Sequence, residues 1–354
     1  MTESFSDDDP QPHPVVDDFN FDENYPQRVL QEMTTNGVSG WRVLKHLGVS
    51  SDGASLQMTH EITKEEAVMK VALSQAAISQ LNYEIKIMRM LMQQDFDEDL
   101  TRHVVRLIDA GEFNFEGRTH GYLLMEFLPG NPVSKLATLE GDALISKVCE
   151  FGLQLLKALY DLHSVGVLHR DVKPENVGLY KGENLVLYEL GRTRFFTYSN
   201  GEHREARTPS TAAEAEGEWA SLAAEFGNDV GRVDDLWSWL FVMVEWINCR
   251  SEVPLAWSPF QKTPHVRFLL KSEFVPANLV LRNCPEEFAK IQFYLRCLDR
   301  EEAPDYLFLA QTLKDCQDKA EGRGLKEPSA EKRSREVDEK ILEDQFVVDE
   351  MLHV

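Results

Sequence analysis

The chain has 354 residues and a hydrophobic content of 43%, which suits one large globular domain with tails or two ordinary domains. Its formal net charge of −23 disfavours nucleic acid and anionic membrane surfaces as partners and favours basic ones, with simple solubility as the alternative. The five cysteines form no Cys-x-x-Cys pair, so they indicate neither a structural zinc site nor a disulfide framework.

Residues 1–25 contain eight acidic residues and no Lys or Arg, and we expect them to form a disordered tail. An acidic start without an apolar core is unlike a secretory signal. The most apolar run, residues 236–244, is too short to span a bilayer and predicts a buried helix. We therefore expect a soluble, monomeric protein of the cytoplasm, with the nucleus as the alternative location.

The region from about 38 to 127 has the pattern of a small lobe of five strands and one helix. Alternating or apolar runs of strand length are separated by turns that contain Gly and Asp. One stretch instead has its apolar residues at helical spacing. The predicted strands are 41–47, 55–60, 66–72, 104–113 and 118–126, and the predicted helix is 79–92.

A second, mainly helical lobe is predicted over about 128–320. It begins with the turn-forming sequence Leu-Pro-Gly-Asn-Pro at 128–132, where a connector between lobes is expected. The charged residues 321–354 form a tail, which is either a docking helix or a solvated, frayed helix. The predicted helices of this lobe are 142–164, 234–248, 285–298 and 306–318.

Residues 169–176 read His-Arg-Asp-Val-Lys-Pro-Glu-Asn and carry most of the chemical information. The pattern H-R-D-x-K-P-x-N is typical of the catalytic loop of protein kinases. In that pattern Asp171 accepts the proton of a substrate hydroxyl, Lys173 neutralises charge on the moving phosphoryl group, and Asn176 holds magnesium. The alternative is a charged loop that carries these letters by chance.

Lys70 lies near the end of the third predicted strand, and Glu84 lies in the helix that follows. Kinases use such a lysine to bind the α- and β-phosphates of ATP and such a glutamate as its ion-pair partner. An ordinary surface lysine and glutamate are the alternative.

The chain resembles the casein kinase I group of eukaryotic protein kinases, and within it the tau-tubulin kinase branch. The resemblance covers about 41–313 and implies an α+β, bilobal protein kinase fold with a five-stranded N-lobe and a larger, mainly helical C-lobe. It also implies ATP and Mg²⁺ as cofactors, with Mn²⁺ as the alternative metal. The stretches that carry it are 168–176, Arg-Thr-Pro at 207–209, Gly-Arg-Val-Asp-Asp-Leu-Trp-Ser at 231–238 and Ala-Pro-Asp-Tyr at 303–306.

Further residue roles follow from this resemblance. Asp235 would brace the catalytic-loop backbone from inside a buried helix. Met125 would be the gatekeeper, and residues 126–128 the hinge that faces adenine. The other nucleotide-binding positions implied are Gly48, Gly53, Val68, Glu126, Leu128 and Gly178.

The sequence departs from the family in the nucleotide-binding motifs. Residues 48–53 read Gly-Val-Ser-Ser-Asp-Gly, so Ser50 replaces the middle glycine, and the carboxylate of Asp52 would repel a triphosphate. Val68 stands where an alanine usually packs on adenine. Glu-Leu-Gly at 189–191 replaces Asp-Phe-Gly, and Glu189 would bind Mg²⁺ through a side chain one methylene longer.

The substrate-binding segment departs further, because residues 215–221 read Ala-Glu-Gly-Glu-Trp-Ala-Ser. Glu216 stands where the group has an arginine that recognises acidic substrates, and Glu218 lies near the position of a conserved threonine. Charge then favours a basic peptide as substrate.

Three hypotheses follow. The first is an active Ser/Thr protein kinase that transfers the γ-phosphoryl group of ATP, with Asp171 as base. The second is a pseudokinase, a kinase fold kept as a binding platform with little or no transfer. The third is a docking protein whose acidic tails do the binding while the fold is a scaffold.

Overall fold

The computed structural model describes residues 24–50, 52–93, 103–207, 217–260 and 262–323. These residues form two compact units. The first contains 24–93 and 105–128, and the second contains 103–104 and 129–323, each within the described ranges.

A five-stranded antiparallel sheet with the strand order β1–β2–β3–β5–β4 forms the frame of the first unit. The alternation of the sequence places Leu56 and Met58 of β2 and Met69 of β3 in the core, where each is 0% exposed. The strands are β1 (Trp41–Val49), β2 (Gly53–His60), β3 (Glu66–Ala72), β4 (Leu107–Phe115) and β5 (Arg118–Glu126), and helix α2 (Gln75–Gln93) follows β3. The five predicted strands and the predicted helix are confirmed.

The first unit also contains helix α1 (Tyr25–Asn36), which the sequence analysis did not predict. The tail was expected to include Tyr25 and the domain to begin at 38, but Tyr25 is 2% exposed and belongs to the same hydrophobic cluster as the sheet. Pro26 lies in the first turn of the helix, where its missing N–H costs nothing. Helix α1 therefore packs with the first unit, whereas residues 1–23 of the predicted acidic tail lie outside the described residues.

The second unit is mainly helical. Its two central helices are α4 (Gly141–Ser164), which precedes the catalytic loop, and the buried helix α6 (Arg232–Ile247). In α6, Trp239 is 0% exposed and donates its indole N–H to the carbonyl oxygen of Gly152 in α4 (2.8 Å). The helices are α3 (Pro132–Leu136), α4 (Gly141–Ser164), α5 (Leu222–Glu225), α6 (Arg232–Ile247), α7 (Pro264–Phe274), α8 (Glu286–Cys297) and α9 (Tyr306–Ala320).

Two short antiparallel pairs flank the catalytic loop: β6 (Val167–Leu168) with β9 (Arg194–Phe195), and β7 (Val177–Tyr180) with β8 (Asn184–Leu187). All four predicted helices of this unit are present. The predicted α+β fold, with a five-stranded first lobe and a mainly helical second lobe, is confirmed.

Helix α7 was not predicted, because the side chains that it buries include charged ones. Arg267 and Lys271 are 3% and 0% exposed, and both bind Glu225 Oε1, at 2.5 and 2.8 Å. A reading based on apolar periodicity does not find such a face. The predicted C-terminal tail falls almost entirely outside the described residues. Among those that are described, no helix has the length and apolar character needed to cross a membrane.

Candidate active site

One carboxylate holds the backbone at the start of the catalytic loop, residues 169–176. Asp235 in α6 accepts a hydrogen bond from the His169 N–H at Oδ2 and one from the Arg170 N–H at Oδ1, both at 2.7 Å. Burial raises the pKa of Asp235, but the hydrogen bonds from His163 and from the Arg170 N–H oppose this, and the pKa lies below its ordinary value. The brace predicted for Asp235 is confirmed.

Two residues of this region have a left-handed backbone although neither is glycine. The φ angle is 67° at Arg170 and 68° at Glu189. Such a conformation costs on the order of 1–3 kcal/mol and persists only where surrounding contacts hold it. The carboxylate of Asp235 provides that contact for Arg170.

Three of the predicted catalytic and metal-binding residues meet at one carboxylate oxygen. Lys173 Nζ lies 2.8 Å from Asp171 Oδ2, and Asn176 Nδ2 lies 2.9 Å from the same atom. Asn176 Nδ2 also donates to the carbonyl oxygen of Asp171 (2.7 Å). The Asp171 carboxylate is thus fixed in orientation, as a general base requires.

Asn176 and Glu189, the predicted magnesium ligands, lie on neighbouring segments. The N–H of Tyr188, the residue before Glu189, donates to the carbonyl oxygen of Asn176 (2.9 Å). Because the amide nitrogen of Asn176 is engaged by Asp171, the amide oxygen is the side-chain atom that would bind a metal ion. An amide oxygen and a carboxylate are ligands that Mg²⁺ prefers, so this donor set fits the ion.

In the first unit, Lys70 of β3 and Glu84 of α2 form the predicted ion pair. Lys70 Nζ lies 2.8 and 3.0 Å from the two carboxylate oxygens of Glu84. The two side chains are 14% and 4% exposed, so the pair is shielded from water. A shielded ammonium whose position is fixed in this way can bind a phosphate oxygen.

The turn between β1 and β2 lies where the family resemblance implies a glycine-rich loop, and it is closed by its own residues. The Ser50 N–H donates to the Gly53 carbonyl (2.9 Å), and the Gly53 N–H donates to Ser50 Oγ (3.2 Å). A Cβ at Gly53 would lie 2.6 Å from the Val71 carbonyl oxygen, whereas at Gly48 it would meet nothing within 4 Å. Ser50, which stands in place of the middle glycine, therefore has a structural role in the turn.

The predicted gatekeeper Met125 is 4% exposed and pairs with Val68 across β5 and β3. Next to it, both the backbone N–H and the side chain of Glu126 bind the backbone of Arg106. Its N–H donates to the Arg106 carbonyl (3.2 Å), and its Oε1 accepts the Arg106 N–H (2.9 Å). The side chain of Glu126 thus stabilises the start of β4, a role that the sequence analysis did not predict.

The two remaining nucleotide-site predictions lie apart in the chain. Leu128 is the last residue of the first unit. Gly178 lies in β7 of the second unit and pairs with Val186 of β8. The roles of Leu128 and Gly178 in nucleotide binding stay predictions.

Part of the substrate-binding segment is described, from Gly217 onward, whereas Glu216 lies outside the described residues. Trp219 Nε1 donates to Glu245 Oε2 (2.5 Å). Burial raises the pKa of Glu245 to about 7; the Trp219 hydrogen bond opposes this, and the charges of Glu218 and Glu175 raise it further. Three carboxylates therefore lie near one another in this part of the second unit.

A family model described as protein kinase domain matches residues 41–254, which is more than half of the chain. The chain belongs to the protein kinase family. The match includes the Lys70–Glu84 pair, the catalytic loop and Asp235 of this kinase.

Two curated relatives are kinases by name. A probable serine/threonine-protein kinase of Dictyostelium discoideum is 29% identical over 282 residues, which cover 78% of this kinase and 53% of the relative. A probable casein kinase I homolog of Encephalitozoon cuniculi is 26% identical over 212 residues, 59% of this kinase and 69% of the relative. This kinase thus spans about half the length of the Dictyostelium relative.

Sequence reasoning missed two residues that contact the machinery of this kinase. His163, at the end of α4, donates from Nε2 to Asp235 (2.9 Å), and Tyr306, at the start of α9, binds the other ring nitrogen of His163. Tyr306 was quoted only as part of a family stretch. Because His163 and Tyr306 are 143 residues apart, no local periodicity could pair them.

Proposed function

We propose that this kinase transfers the γ-phosphoryl group of ATP to Ser or Thr hydroxyl groups of protein substrates. The observation that carries the proposal is the fixed carboxylate of Asp171, bound by Lys173 and Asn176 in a loop whose backbone is held by Asp235. The name of the Dictyostelium relative, a probable serine/threonine-protein kinase, supports the choice of Ser and Thr hydroxyl groups.

In the proposed reaction each residue has a distinct task. Asp171 accepts the proton of the substrate hydroxyl, and Lys173 neutralises charge on the phosphoryl group. Lys70, fixed by Glu84, binds the α- and β-phosphates. Asn176 and Glu189 would hold Mg²⁺ or Mn²⁺, which neutralises charge on phosphate oxygens when bound.

We further propose that this kinase is of the casein kinase I type, in the tau-tubulin kinase branch. One of the stretches that suggested this lies close to another, since Arg232 donates from Nη2 to the carbonyl oxygen of Glu301 (2.9 Å), two residues before the Ala-Pro-Asp-Tyr stretch. The name of the Encephalitozoon relative, a casein kinase I homolog, also supports the assignment.

We propose that the substrates are basic, unlike those expected for that group. Glu175 lies in the catalytic loop stretch, four residues after Asp171, and its charge acts on Glu245 together with that of Glu218. A lysine or arginine of a peptide would bind near these three carboxylates by charge complementarity. Its positive charge would favour the ionised form of Glu245.

We also propose a monomer that acts in the cytoplasm or the nucleus without binding nucleic acid, in keeping with its net charge of −23. All five of its cysteines are free thiols, which suits a reducing compartment. The kinase domain is proposed to run from helix α1 to about residue 320, with charged segments on either side.

A radiolabelled ATP transfer assay with Mg²⁺ or Mn²⁺, on a basic protein and on casein side by side, tests the proposal. We expect Asp171→Asn to lower transfer by about 10²–10⁴-fold, because an amide accepts no proton. Asp142→Asn, which removes an exposed carboxylate of α4 in the same unit, is the matched control and should leave transfer unchanged. Transfer by Asp171→Asn at the wild-type rate would show that Asp171 is not the base.

A pseudokinase is the second candidate, and the β1–β2 turn favours it. Ser50 closes this turn and Asp52 adds a negative charge to it, both of which disfavour a bound triphosphate. No transfer by the wild-type chain, combined with a Mg²⁺- and ATP-dependent rise in melting temperature, would identify a nucleotide-binding pseudokinase. Lys70→Met should abolish that rise in melting temperature, whether the chain is an active kinase or a nucleotide-binding pseudokinase.

A further inference from the structure

The hydroxyl group of Tyr306 is buried at the start of α9. The residue is 9% exposed, and its position is fixed because the preceding Asp305 caps the helix by accepting the Phe308 N–H (2.8 Å). The hydroxyl contacts Nδ1 of His163, which is itself 5% exposed. Burial raises the pKa of Tyr306 well above its ordinary value, so the hydroxyl keeps its proton.

His163 uses both ring nitrogens, and this determines where its proton resides. Nε2 lies 2.9 Å from the Asp235 carboxylate, which can only accept a hydrogen bond. The arrangement that satisfies all three groups has Tyr306 donating to Nδ1 and Nε2–H donating to Asp235. Without the Tyr306 hydroxyl, a tautomer that turns a lone pair toward Asp235 becomes accessible.

Asp235 is the group through which this histidine reaches the site. Its Oδ2 is shared between His163 and the His169 N–H, and its Oδ1 binds the N–H of Arg170, the residue with a left-handed backbone. Any shift of the carboxylate therefore moves two consecutive peptide groups directly before Asp171.

We infer that Tyr306 is a positioning residue for phosphoryl transfer, acting through His163 and Asp235 on the peptide groups of His169 and Arg170. This inference rests on the proposed function, because Asp171 must be the catalytic base for its position to matter. Displacement of a reacting group by about 1 Å can lower a rate about a hundredfold, and a partly loosened loop gives a smaller loss.

The test compares Tyr306→Phe with Tyr294→Phe. Each change removes one hydroxyl near the start of α9, since the Tyr294 hydroxyl accepts the Asp305 N–H (2.5 Å). Only the Tyr306 hydroxyl reaches His163. A general loss of stability would thus affect both variants, whereas a loss of positioning would affect Tyr306→Phe alone.

Two readouts are needed. We expect Tyr306→Phe to lower kcat about tenfold while KM for ATP and for a basic peptide stays within about twofold of wild type. Amide hydrogen exchange in the peptide that contains His169 and Arg170 should also become faster. Tyr294→Phe should change neither kcat nor exchange in that peptide.

The outcomes separate the two proposals. If the wild-type chain transfers no phosphate, the proposed function fails, and the exchange measurement alone decides whether Tyr306 positions the loop. Unchanged exchange at His169 and Arg170 in Tyr306→Phe would overturn the inference. An equal drop of kcat in both variants, or a loss confined to KM, would overturn it as well.

Discussion

The catalytic loop of the second unit and the β1–β2 turn of the first unit are held in opposite ways. The loop depends on a distant side chain, since Asp235 is 66 residues from His169 in sequence. The turn is closed locally, by hydrogen bonds between Ser50 and Gly53. The residues of the loop match the kinase pattern H-R-D-x-K-P-x-N, whereas the turn has Ser50 and Asp52 between Gly48 and Gly53.

This difference shows where a kinase fold tolerates sequence change. A loop braced by a buried carboxylate cannot change its backbone-binding residues without leaving buried N–H groups unsatisfied. A hairpin turn that supplies its own hydrogen bonds can change while the strands keep their register. A substitution in this turn is therefore compatible with the same fold.

The largest expected effect is that of Asp235→Asn. The amide turns a donor toward the N–H groups of the loop or toward His163, so the free energy of unfolding should fall by about 3 kcal/mol. Phosphoryl transfer should be lost with it. Urea unfolding and the transfer assay measure the two effects.

Asp161→Asn is the control for that prediction. Asp161 is a buried carboxylate of α4 that pairs with Lys157 (2.5 Å), and the substitution should lower stability comparably while transfer continues. Equal loss of transfer in both variants would mean that stability, and not loop geometry, limits the activity.

The stabilities of Gly53→Ala and Gly48→Ala should differ, because the two glycines of the turn have different space around them. The new Cβ at position 53 would lie 2.6 Å from the Val71 carbonyl oxygen, so β3 must shift, and we expect a loss of about 2 kcal/mol. At position 48 nothing lies within 4 Å, and the change should stay within about 0.5 kcal/mol. Equal melting temperatures of the two variants would contradict this account of the turn.

Acidification should destabilise the first unit by about 1 kcal/mol between pH 7 and 5.5. Burial lowers the pKa of His120 below its ordinary value of 6.5, so the unfolded chain binds a proton that the folded unit does not, and stability is lost as the pH falls. Hydrogen exchange at the two pH values, corrected for the intrinsic rate, measures the loss. His120→Gln should remove it.

The second unit should resist the same change. Burial lowers the pKa of His169 likewise, but burial raises the pKa of Asp234 to about 6 and that of Glu245 to about 7. These two carboxyl groups bind protons in the folded state as the pH falls, which offsets the loss from His169. Earlier acid opening of the second unit than of the first would contradict this balance.

Asp52→Asn should have the smallest effect and should act on binding alone. Removing one negative charge from the turn is expected to raise ATP affinity roughly fivefold, equivalent to about 1 kcal/mol. Stability should not change, because the backbone carbonyl of Asp52 still accepts the Leu73 N–H (2.7 Å). Titration calorimetry checks this, with Glu65→Gln of the β2–β3 turn as the control.

The strands and the catalytic loop could be predicted from the sequence because both have local signatures. The alternation of apolar residues predicted β2 and β3, and eight consecutive residues predicted the catalytic loop. Helix α1 was missed because its few apolar residues, among them Val29 and Met33, are embedded in polar sequence next to an acidic tail.

Contacts between distant residues could not be predicted in the same way. The bond of Glu126 to Arg106 and that of Tyr306 to His163 depend on how elements pack, which one sequence without relatives does not encode visibly. The Asp235 brace was predicted only because the family resemblance supplied it. The buried charges of α7 are a further case, because their burial depends on Glu225.

Helix α1 has a consequence for how the chain folds while it is being synthesised. The hydroxyl of Tyr25 binds Nε2 of His120 (2.8 Å), so the two partners leave the ribosome 95 residues apart. Until β5 has emerged, the contact between Tyr25 and His120 cannot form, and this part of α1 is a target for chaperones. Contacts of such long sequence separation also slow folding. Helix α1 is thus made well before strand β5, on which the contact of its Tyr25 depends.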